Sequence, residues 1–216
     1  MKYKCLVLDH DDTTVNSTAT VHYPSFVEFM KIYKPHIQFT LEEYVKYNFD
    51  PGVIPFFKDI CGLSDEELIL EQDFWQDYQS HHVSDAFDGI KELLEEHKKN
   101  GGYIVVISHS FSDKIKRDYE YNQLPMPDLI FGWEEPKEER KPSPAPLFKI
   151  MEKFNLKPEE ILVIDDLKPG FDMAKAAHVP FAAACWCFNI EENKKFMQRN
   201  ADFCFETVEE LNKHCK

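Results

Sequence analysis

Five short apolar runs recur along this chain of 216 residues, and most are separated by segments with helical periodicity. Apolar runs of this length, too short for a helix, are typical of strands that are buried on both faces. Alternation of such strands with helices predicts an α/β fold, in which helices flank a parallel sheet. The five runs are Lys4–Leu8, Tyr103–Ile107, Leu129–Phe131, Ile161–Ile164 and Pro180–Cys185.

Two of the intervening helices can be recognised from apolar stripes with helical spacing. The first stripe comprises Phe87, Ile90, Leu93, Leu94 and His97 and is followed by the helix-ending sequence Asn100-Gly101-Gly102. The second stripe follows two prolines and comprises Leu147, Ile150, Met151 and Phe154. Each of these helices is expected to cover one face of the sheet.

The strand signal disappears between residues 16 and 82, where helical spacings take its place. Thr40 to Glu43 and Ser64 to Glu67 fit the capping-box pattern of a helix start. We therefore expect an all-helical domain over 16–82, inserted into an α/β core formed by 1–15 and 83–216. Most of its aromatic residues should form its own core, while a subset would face a substrate. The candidates for that subset are Tyr23, Tyr44, Tyr47, Phe56 and Trp75.

The composition limits the kinds of molecule to which this protein is expected to bind. The formal net charge is −14, and the basic residues are scattered, which argues against binding to nucleic acid or to an anionic membrane surface. No apolar run approaches the roughly 20 residues that a membrane-spanning helix needs. The six cysteines form no CxxC pair and no signal-peptide pattern is present, so we expect reduced thiols and a cytoplasmic protein. The oligomeric state is not indicated.

Three carboxylates, Asp9, Asp11 and Asp12, directly follow the first apolar run. Crowded carboxylates are tolerated mainly where a divalent cation or a proton neutralises them. Asp9 and Asp11 are two positions apart, so an extended chain would place both side chains on one face. Such a pair can divide the roles of nucleophile and general acid/base, with a hard cation held beside it.

Other polar groups follow the later predicted strands. The second strand runs into Ser108-His109-Ser110, the fourth ends in Asp165-Asp166, and Lys141 lies in the connection between the third and fourth. Open α/β sheets bind their ligands at the carboxyl ends of their strands, so these groups should meet there. Carboxylates, a hydroxyl and an ammonium group suit Mg²⁺ together with a phosphoryl group.

This constellation resembles the haloacid dehalogenase (HAD) superfamily over most of the chain. The four motifs of that family are matched, in order, by Asp9-His10-Asp11-Asp12-Thr13, Ser108, Lys141-Pro142-Ser143-Pro144 and Asp165-Asp166. The resemblance implies a Rossmann-like core, whose last strand and helix would correspond to Ala201-Asp202-Phe203 and Val208-Glu209-Glu210-Leu211. The helical insertion after the first motif is similar to the cap of the subgroup that contains phosphoglycolate phosphatases and β-phosphoglucomutases.

The resemblance also implies a role for each matched residue. Asp9 would attack phosphorus and form an aspartyl-phosphate, and Asp11 would protonate the leaving oxygen and then deprotonate water. Ser108, His109 and Lys141 would hold the phosphoryl group.

Mg²⁺ is the cofactor that the resemblance implies, bound by the Asp9 carboxylate, the Asp11 backbone carbonyl and Asp166. Asp165 would be a direct or water-mediated neighbour. Asp11 favours phosphoryl transfer over dehalogenation, because a departing halide needs no proton. A magnesium-dependent phosphatase acting on a small phosphorylated metabolite is therefore the leading hypothesis.

Two residues, Asp12 and His178, depart from the family pattern, and the change at His178 is expected to be structural. Asp12 stands where Gly is usual, and Asp is among the few other residues that tolerate a left-handed backbone. His10 should point to the opposite side of the chain from its neighbours, with a structural role favoured over a contact with substrate or cap.

Three alternatives to a phosphatase remain open. A phosphomutase would use the same residues and return the phosphoryl group to a sugar. A receiver-type regulatory domain is disfavoured by the chain length and by the helical insertion. A catalytically silent phosphate-binding protein has only Asp12 in its favour.

Overall fold

The computed structural model describes residues 2–188 and 190–216. One parallel six-stranded sheet in the order β3-β2-β1-β4-β5-β6 forms its centre, which confirms the predicted α/β class. The strands are β1 (Cys5–Leu8), β2 (Tyr103–Ile107), β3 (Leu129–Phe131), β4 (Ile161–Asp165), β5 (Phe181–Ala184) and β6 (Phe203–Phe205).

Helices connect these strands or form the insertion between β1 and β2. Their bounds are α1 (Tyr23–Tyr33), α2 (Leu41–Phe49), α3 (Val53–Pro55), α4 (Asp65–Ser80), α5 (Ile90–Lys99), α6 (Ser112–Tyr121), α7 (Ala145–Phe154), α8 (Lys168–Ala176), α9 (Glu191–Asn200) and α10 (Val208–Cys215).

The central strands are buried on both faces, as their continuous apolar sequences predict. Leu6 and Leu8 of β1 belong to a core cluster with Leu93 and Leu94 of α5. Val7, which alternates with them along the strand and so points to the other face, is 1% exposed. Since successive side chains of a strand face opposite sides, helices must cover the sheet on both sides.

The strand order places β1 and β4 at the middle of the sheet, where the direction of the connections reverses. β1 pairs with β2 on one side and with β4 on the other. In open α/β sheets the crevice outside the carboxyl ends of the strands at this reversal is the usual ligand site. The residues after Leu8 and at the end of β4 therefore occupy the position at which open α/β sheets usually bind a ligand.

The chain divides into two compact units, one formed by residues up to Val15 and from Asp85 onward, and one formed by Asn16–Ser84. The second unit is helical throughout its regular structure, with α1 to α4 and two short π-helical turns over Thr18–His22 and Phe56–Ile60. Its observed bounds extend two residues beyond the insertion expected from the sequence.

The helical unit has its own aromatic core. Phe26 contacts the rings of Tyr44, Phe56 and Phe57, with ring centroids 5.0 to 5.8 Å apart. Phe26, Tyr44, Phe56 and Phe57 are all buried. Tyr44 and Phe56, two of the residues considered as substrate-facing, therefore belong to this core.

Both predicted capping boxes are present in the helical unit. The Thr40 side chain accepts a hydrogen bond from the Glu43 amide at the start of α2, and the Glu43 carboxylate accepts one from the Thr40 amide. Ser64 and Glu67 make the same reciprocal pair at the start of α4. Local sequence thus sets where these two helices begin.

Strand bounds differ from the sequence prediction mainly at the last strand. A strand starting near Ala201 was expected, whereas β6 begins at Phe203. Asp202 uses its carboxylate to accept hydrogen bonds from the Phe181 amide and from the Lys175 ammonium group, so it forms the connection before the strand.

In the described part of the chain, no helix has the length and apolar character needed to span a bilayer.

Candidate active site

Asp9 lies at the carboxyl end of β1, where its side chain is 5% exposed. Its amide donates to the carbonyl of Ile164 on β4, which continues the pairing of the two strands up to the site. The ammonium group of Lys141 lies 2.8 Å from Asp9 Oδ1 and donates a hydrogen bond of 2.7 Å to Asp165 Oδ2. Three sequence-predicted residues from three separate segments are thus in direct contact.

Asp11 lies beyond the end of β1, and its Oδ2 accepts hydrogen bonds from two serine hydroxyls. Ser108 Oγ is 3.3 Å away and Ser110 Oγ is 2.7 Å away. The Ser110 amide also donates to Ser108 Oγ, so the turn after β2 holds both hydroxyls in place. Sequence reasoning selected Ser108 for the phosphoryl group but missed Ser110. The alternation Ser-His-Ser was the available signal, because residues two apart on an extended chain face the same side.

A set of carboxylates that could hold a metal ion lies at the same end of the sheet. Asp9, Asp165 and Asp166 each offer an oxygen, and these oxygens all lie within 4.8 Å of one another. Asp9 and Asp165 are buried, and Asp166 is half-buried and accepts a hydrogen bond from Thr13 Oγ1 at 3.3 Å. Hard oxygen donors at this spacing suit Mg²⁺, so the residues present fit the predicted metal.

The electrostatics of this carboxylate cluster also favour a bound cation. Burial, reinforced by Asp165 and Asp11, raises the pKa of Asp9 to about 7 against the pull of Lys141. Burial, followed by the charges of Asp12, Asp165 and Asp9, raises the pKa of Asp166 well above its usual range. Carboxylates whose charged forms are disfavoured in this way gain from a cation placed among them.

Lys141 supplies the positive charge that the buried carboxylates require. Burial lowers the pKa of its ammonium group, but Asp165 and Asp9 together outweigh burial and raise that pKa. The side chain is therefore a cation at neutral pH although it is 4% exposed. A desolvated cation at this point can bind an anionic group far more strongly than a surface lysine can.

A close approach of α8 fixes Asp165. Its Oδ1 accepts a hydrogen bond of 2.8 Å from the Leu167 amide. A Cβ atom on Gly170, in the first turn of α8, would lie 2.1 Å from Asp165 Oδ2. Only glycine fits at this position, because any side chain would displace the carboxylate that pairs with Lys141.

His109 lies against the backbone of Lys141. Its Nε2 is 3.1 Å from the Lys141 carbonyl oxygen, so Nε2–H donates to that oxygen. Burial, and then the nearby Lys141 charge, lowers the pKa of His109 to about 4. The ring stands edge-on to Trp133, over which the Arg140 guanidinium lies at 4.2 Å. His109 was expected to hold phosphate, and the observed contact is with the segment that carries Lys141.

Both residues that depart from the family pattern, Asp12 and His178, adopt the left-handed backbone that favours glycine, and His178 has a φ of 55°. Asp12 has a φ of 59°, so it adopts the left-handed backbone that was expected at this position. Its amide donates to the Val15 carbonyl and closes the turn after β1. His10 is 1% exposed, and its Nε2 lies 3.1 Å from Asp118 Oδ2 on α6, as expected for a structural role.

Comparison with known proteins agrees with the fold and the family. A pyrophosphatase named PpaX from Bacillus cereus is 24% identical over 188 residues, which cover 86% of this chain and 85% of that protein. A predicted phosphoglycolate phosphatase from Haemophilus somnus has a similar structure, with a TM-score of 0.79, 18% identity and coverage of 100% of this chain and 99% of that one. A hydrolase of the haloacid dehalogenase-like family from Streptococcus pneumoniae has a TM-score of 0.76, 16% identity and coverage of 100% and 99%.

The family model described as haloacid dehalogenase-like hydrolase matches residues 6–184, a span that contains every candidate site residue from Asp9 to Asp166. This match covers most of the chain and rests on sequence, independently of the similarity in fold. The chain therefore belongs to the haloacid dehalogenase-like hydrolase family.

Proposed function

We propose that this protein is a Mg²⁺-dependent phosphatase that hydrolyses a small phosphorylated metabolite through an aspartyl-phosphate on Asp9. The observation that carries the proposal is the contact of the Lys141 ammonium group with both Asp9 and Asp165 at the switch between β1 and β4. A buried cation beside a buried carboxylate offers an anion-binding group next to a nucleophile. The proposal places the protein in the cytoplasm.

The reaction would proceed in two displacements. In the first, a carboxylate oxygen of Asp9 attacks phosphorus, the bond from phosphorus to the leaving oxygen breaks, and Asp11 donates a proton to that oxygen. In the second, Asp11 takes a proton from water, whose oxygen attacks phosphorus and releases Asp9. The hydroxyls of Ser108 and Ser110 support this role, because their hydrogen bonds orient the Asp11 carboxylate.

The phosphoryl oxygens would be held by Ser108 and Lys141, and the His109 contact with the Lys141 carbonyl would keep that segment in place. Mg²⁺ would be held by the carboxylates of Asp9 and Asp166 and by the Asp11 carbonyl, with Asp165 direct or through water. When bound, Mg²⁺ neutralises charge on the phosphoryl group and on the carboxylates.

The substrate class follows from the charge of the site and from the relatives. The site suits a phosphate monoester or anhydride, and the relatives are named as a pyrophosphatase and a phosphoglycolate phosphatase. We further propose that the helical insertion over 16–82 acts as the cap domain of this enzyme, as the family resemblance implies. Pyrophosphate, phosphoglycolate and sugar phosphates are therefore the first compounds to test.

The test is release of inorganic phosphate from p-nitrophenyl phosphate and from those three substrates, with MgCl₂ or with EDTA. We expect Mg²⁺-dependent release by the wild type. Asp9→Asn should reduce turnover by at least about a thousandfold, because it removes the nucleophilic oxygen, with little effect on folding.

Three results would contradict the proposal. Normal turnover in Asp9→Asn would exclude Asp9 as the nucleophile. No Mg²⁺-dependent release from any substrate would favour a silent phosphate-binding protein. Transfer of the phosphoryl group between positions of a sugar, without release of phosphate, would identify a phosphomutase.

A further inference from the structure

A buried pair of polar side chains lies directly behind the candidate site and takes no part in the proposed chemistry. His10, between Asp9 and Asp11 in the sequence, places Nε2 3.1 Å from Oδ2 of Asp118 on α6. His10 is 1% exposed and Asp118 is 5% exposed. The His10 ring also stacks on Tyr119, with centroids 6.1 Å apart.

Asp118 is held by partners on its own helix. Its Oδ1 accepts hydrogen bonds from Nε and Nη2 of Arg117 at 2.9 and 2.8 Å. Its backbone carbonyl accepts one from Asn122, whose side-chain oxygen accepts the Ala86 amide. The carboxylate that contacts His10 therefore has a defined orientation, and α6 is tied to the segment that follows the helical unit.

The backbone of His10 organises the turn that carries Asp11. Its carbonyl oxygen accepts hydrogen bonds from the amides of Thr14 and Val15 at 2.9 and 3.0 Å. The Thr14 hydroxyl in turn donates to the Asp9 carbonyl at 2.7 Å. A shift of His10 would thus move the whole turn between Asp9 and Val15.

The other member of the pair, Asp118, lies on α6, the helix that follows the turn over residues 108–110, here called the serine turn. α6 begins at Ser112, two residues after Ser110, whose hydroxyl holds the Asp11 carboxylate at 2.7 Å. Asp11 is therefore connected to α6 by two routes: through Ser110 and the start of the helix, and through His10 and Asp118.

Burial of such a pair contributes little to stability on balance. Desolvation of a buried carboxylate and its partner offsets most of their attraction, and apolar residues of similar volume would often be as stable. What the pair does supply is one defined distance between the turn after β1 and α6. Catalysis depends on such distances, since a misplacement of about 1 Å can reduce turnover by about a hundredfold.

We propose that His10 and Asp118 are positioning residues that hold Asp9 and Asp11 in register with the serine turn. This role rests on the proposed phosphatase function of the same site. It assigns no chemical step to either side chain.

The test compares His10→Phe with His97→Phe as a matched control. His97 is also a buried histidine, 4% exposed, whose Nε2 lies 3.1 Å from the Tyr103 carbonyl at the opposite end of the sheet. We expect His10→Phe to lower kcat by about tenfold to a hundredfold with little change in KM. His97→Phe should lower Tm to a similar extent and leave kcat unchanged. His10→Gln, which retains an N–H donor, should recover part of kcat.

Two kinetic outcomes would overturn the proposal: an unchanged kcat in His10→Phe, or an equal loss of kcat in both variants. If His10→Phe does not fold, Asp118→Asn replaces it in the same comparison, because it keeps the shape of the side chain and removes its charge.

A second measurement separates this proposal from the proposed function. Amide hydrogen exchange at Thr14 and Val15, measured without metal or substrate, should be faster in His10→Phe than in the wild type, relative to the amides of β1. Unchanged exchange at these amides would overturn the positioning role. If the wild type proves to have no phosphatase activity, the proposed function fails and this exchange measurement alone decides the role of the pair.

Discussion

At the scale of single residues, Lys141 is the group on which the charge balance of the site depends. Its side chain is 4% exposed, and those of Asp9 and Asp165, which it contacts, are 5% and 1% exposed. Among the described residues, Lys141 is the one cation that pairs with either carboxylate. A lysine beside acidic residues would be unremarkable on the surface, whereas in this position its removal leaves two buried charges uncompensated.

We predict that Lys141→Ala weakens inhibition by phosphate and vanadate by a few kcal/mol, because a buried charge partner of the anion is lost. The same variant should lose about 3–5 kcal/mol of unfolding free energy, measured with urea, because Asp9 and Asp165 lose their partner. Lys149→Ala is the matched control, since Lys149 pairs with Glu139 and Glu135 on the surface and is 45% exposed. Unchanged inhibition by vanadate in Lys141→Ala would contradict the phosphate-binding role.

At the scale of elements, the first turn of α8 determines the position of the β4 carboxylates. Gly170 gives the helix room to approach Asp165, while the Leu167 amide holds the other oxygen of the same carboxylate. A displacement of α8 would therefore move the Asp165 carboxylate and change its hydrogen bond with Lys141.

We predict that Gly170→Ala lowers kcat and costs about 1–3 kcal/mol of unfolding free energy, because the new methyl group forces Asp165 or the helix to move. Ala174→Gly, four residues further along the same helix, is the control: it costs about 1 kcal/mol through helix propensity and adds no atom near Asp165. Steady-state kinetics and urea unfolding of both variants provide the measurement. Equal kcat values in the two variants would show that Asp165 is not displaced by the added methyl group.

Helix α4 of the helical unit carries a carboxyl group with an unusual titration. Burial raises the pKa of Glu71 to about 7, against a smaller opposing effect of His22. An unfolded chain loses this proton near pH 4.5, whereas the folded protein keeps it until near pH 7. The contribution of the Glu71 carboxyl group to the free energy of unfolding is therefore greatest below pH 4.5, and it is lost as the pH rises to about 7.

We predict that Glu71→Gln raises the stability of the protein at pH 8 by about 1–2 kcal/mol, because a neutral amide avoids the burial of a charge. The gain should vanish near pH 4, where the wild-type carboxyl group is neutral in both states. Thermal melts between pH 4 and 8 test this, with Asp73→Asn, an exposed carboxylate on the same helix, as the control. A pH-independent effect of Glu71→Gln would rule out titration as its cause.

At the scale of the whole molecule, the fold concentrates negative charge at one end of the sheet of a protein whose net charge is −14. Asp9, Asp165 and Asp166 are brought together only when β1 and β4 pair, so the unfolded chain lacks the site. A cation that binds these residues must therefore stabilise the folded state.

We predict that Mg²⁺ raises the Tm, with a stabilisation of about 2.7 kcal/mol at a concentration a hundredfold above its Kd. NaCl at equal ionic strength is the control for general screening of the net charge. Asp166→Asn should reduce the Mg²⁺-dependent rise. An equal rise in Tm with NaCl would indicate that no specific site is present.

Much of the fold was predictable from the sequence, because its information is local. The bounds of β2 and β3 match their apolar runs, and α2 and α4 start at the predicted capping boxes. β6 begins two residues later than predicted, because the Asp202 carboxylate accepts hydrogen bonds from Phe181 on β5 and from Lys175 on α8. A non-local partner of this kind leaves no trace in a short window of sequence.

The amino-acid order by itself determined that this chain is an α/β protein with a helical insertion, and that acidic, hydroxyl and ammonium groups follow its strands. Only the tertiary structure decided that Lys141 joins Asp9 to Asp165, that Ser110 shares Asp11 with Ser108, and that His10 is paired with Asp118. The physical reason is distance along the chain. Periodicity and capping act over a few residues, whereas these contacts join side chains 24 to 132 residues apart, whose approach depends on strand order and helix packing.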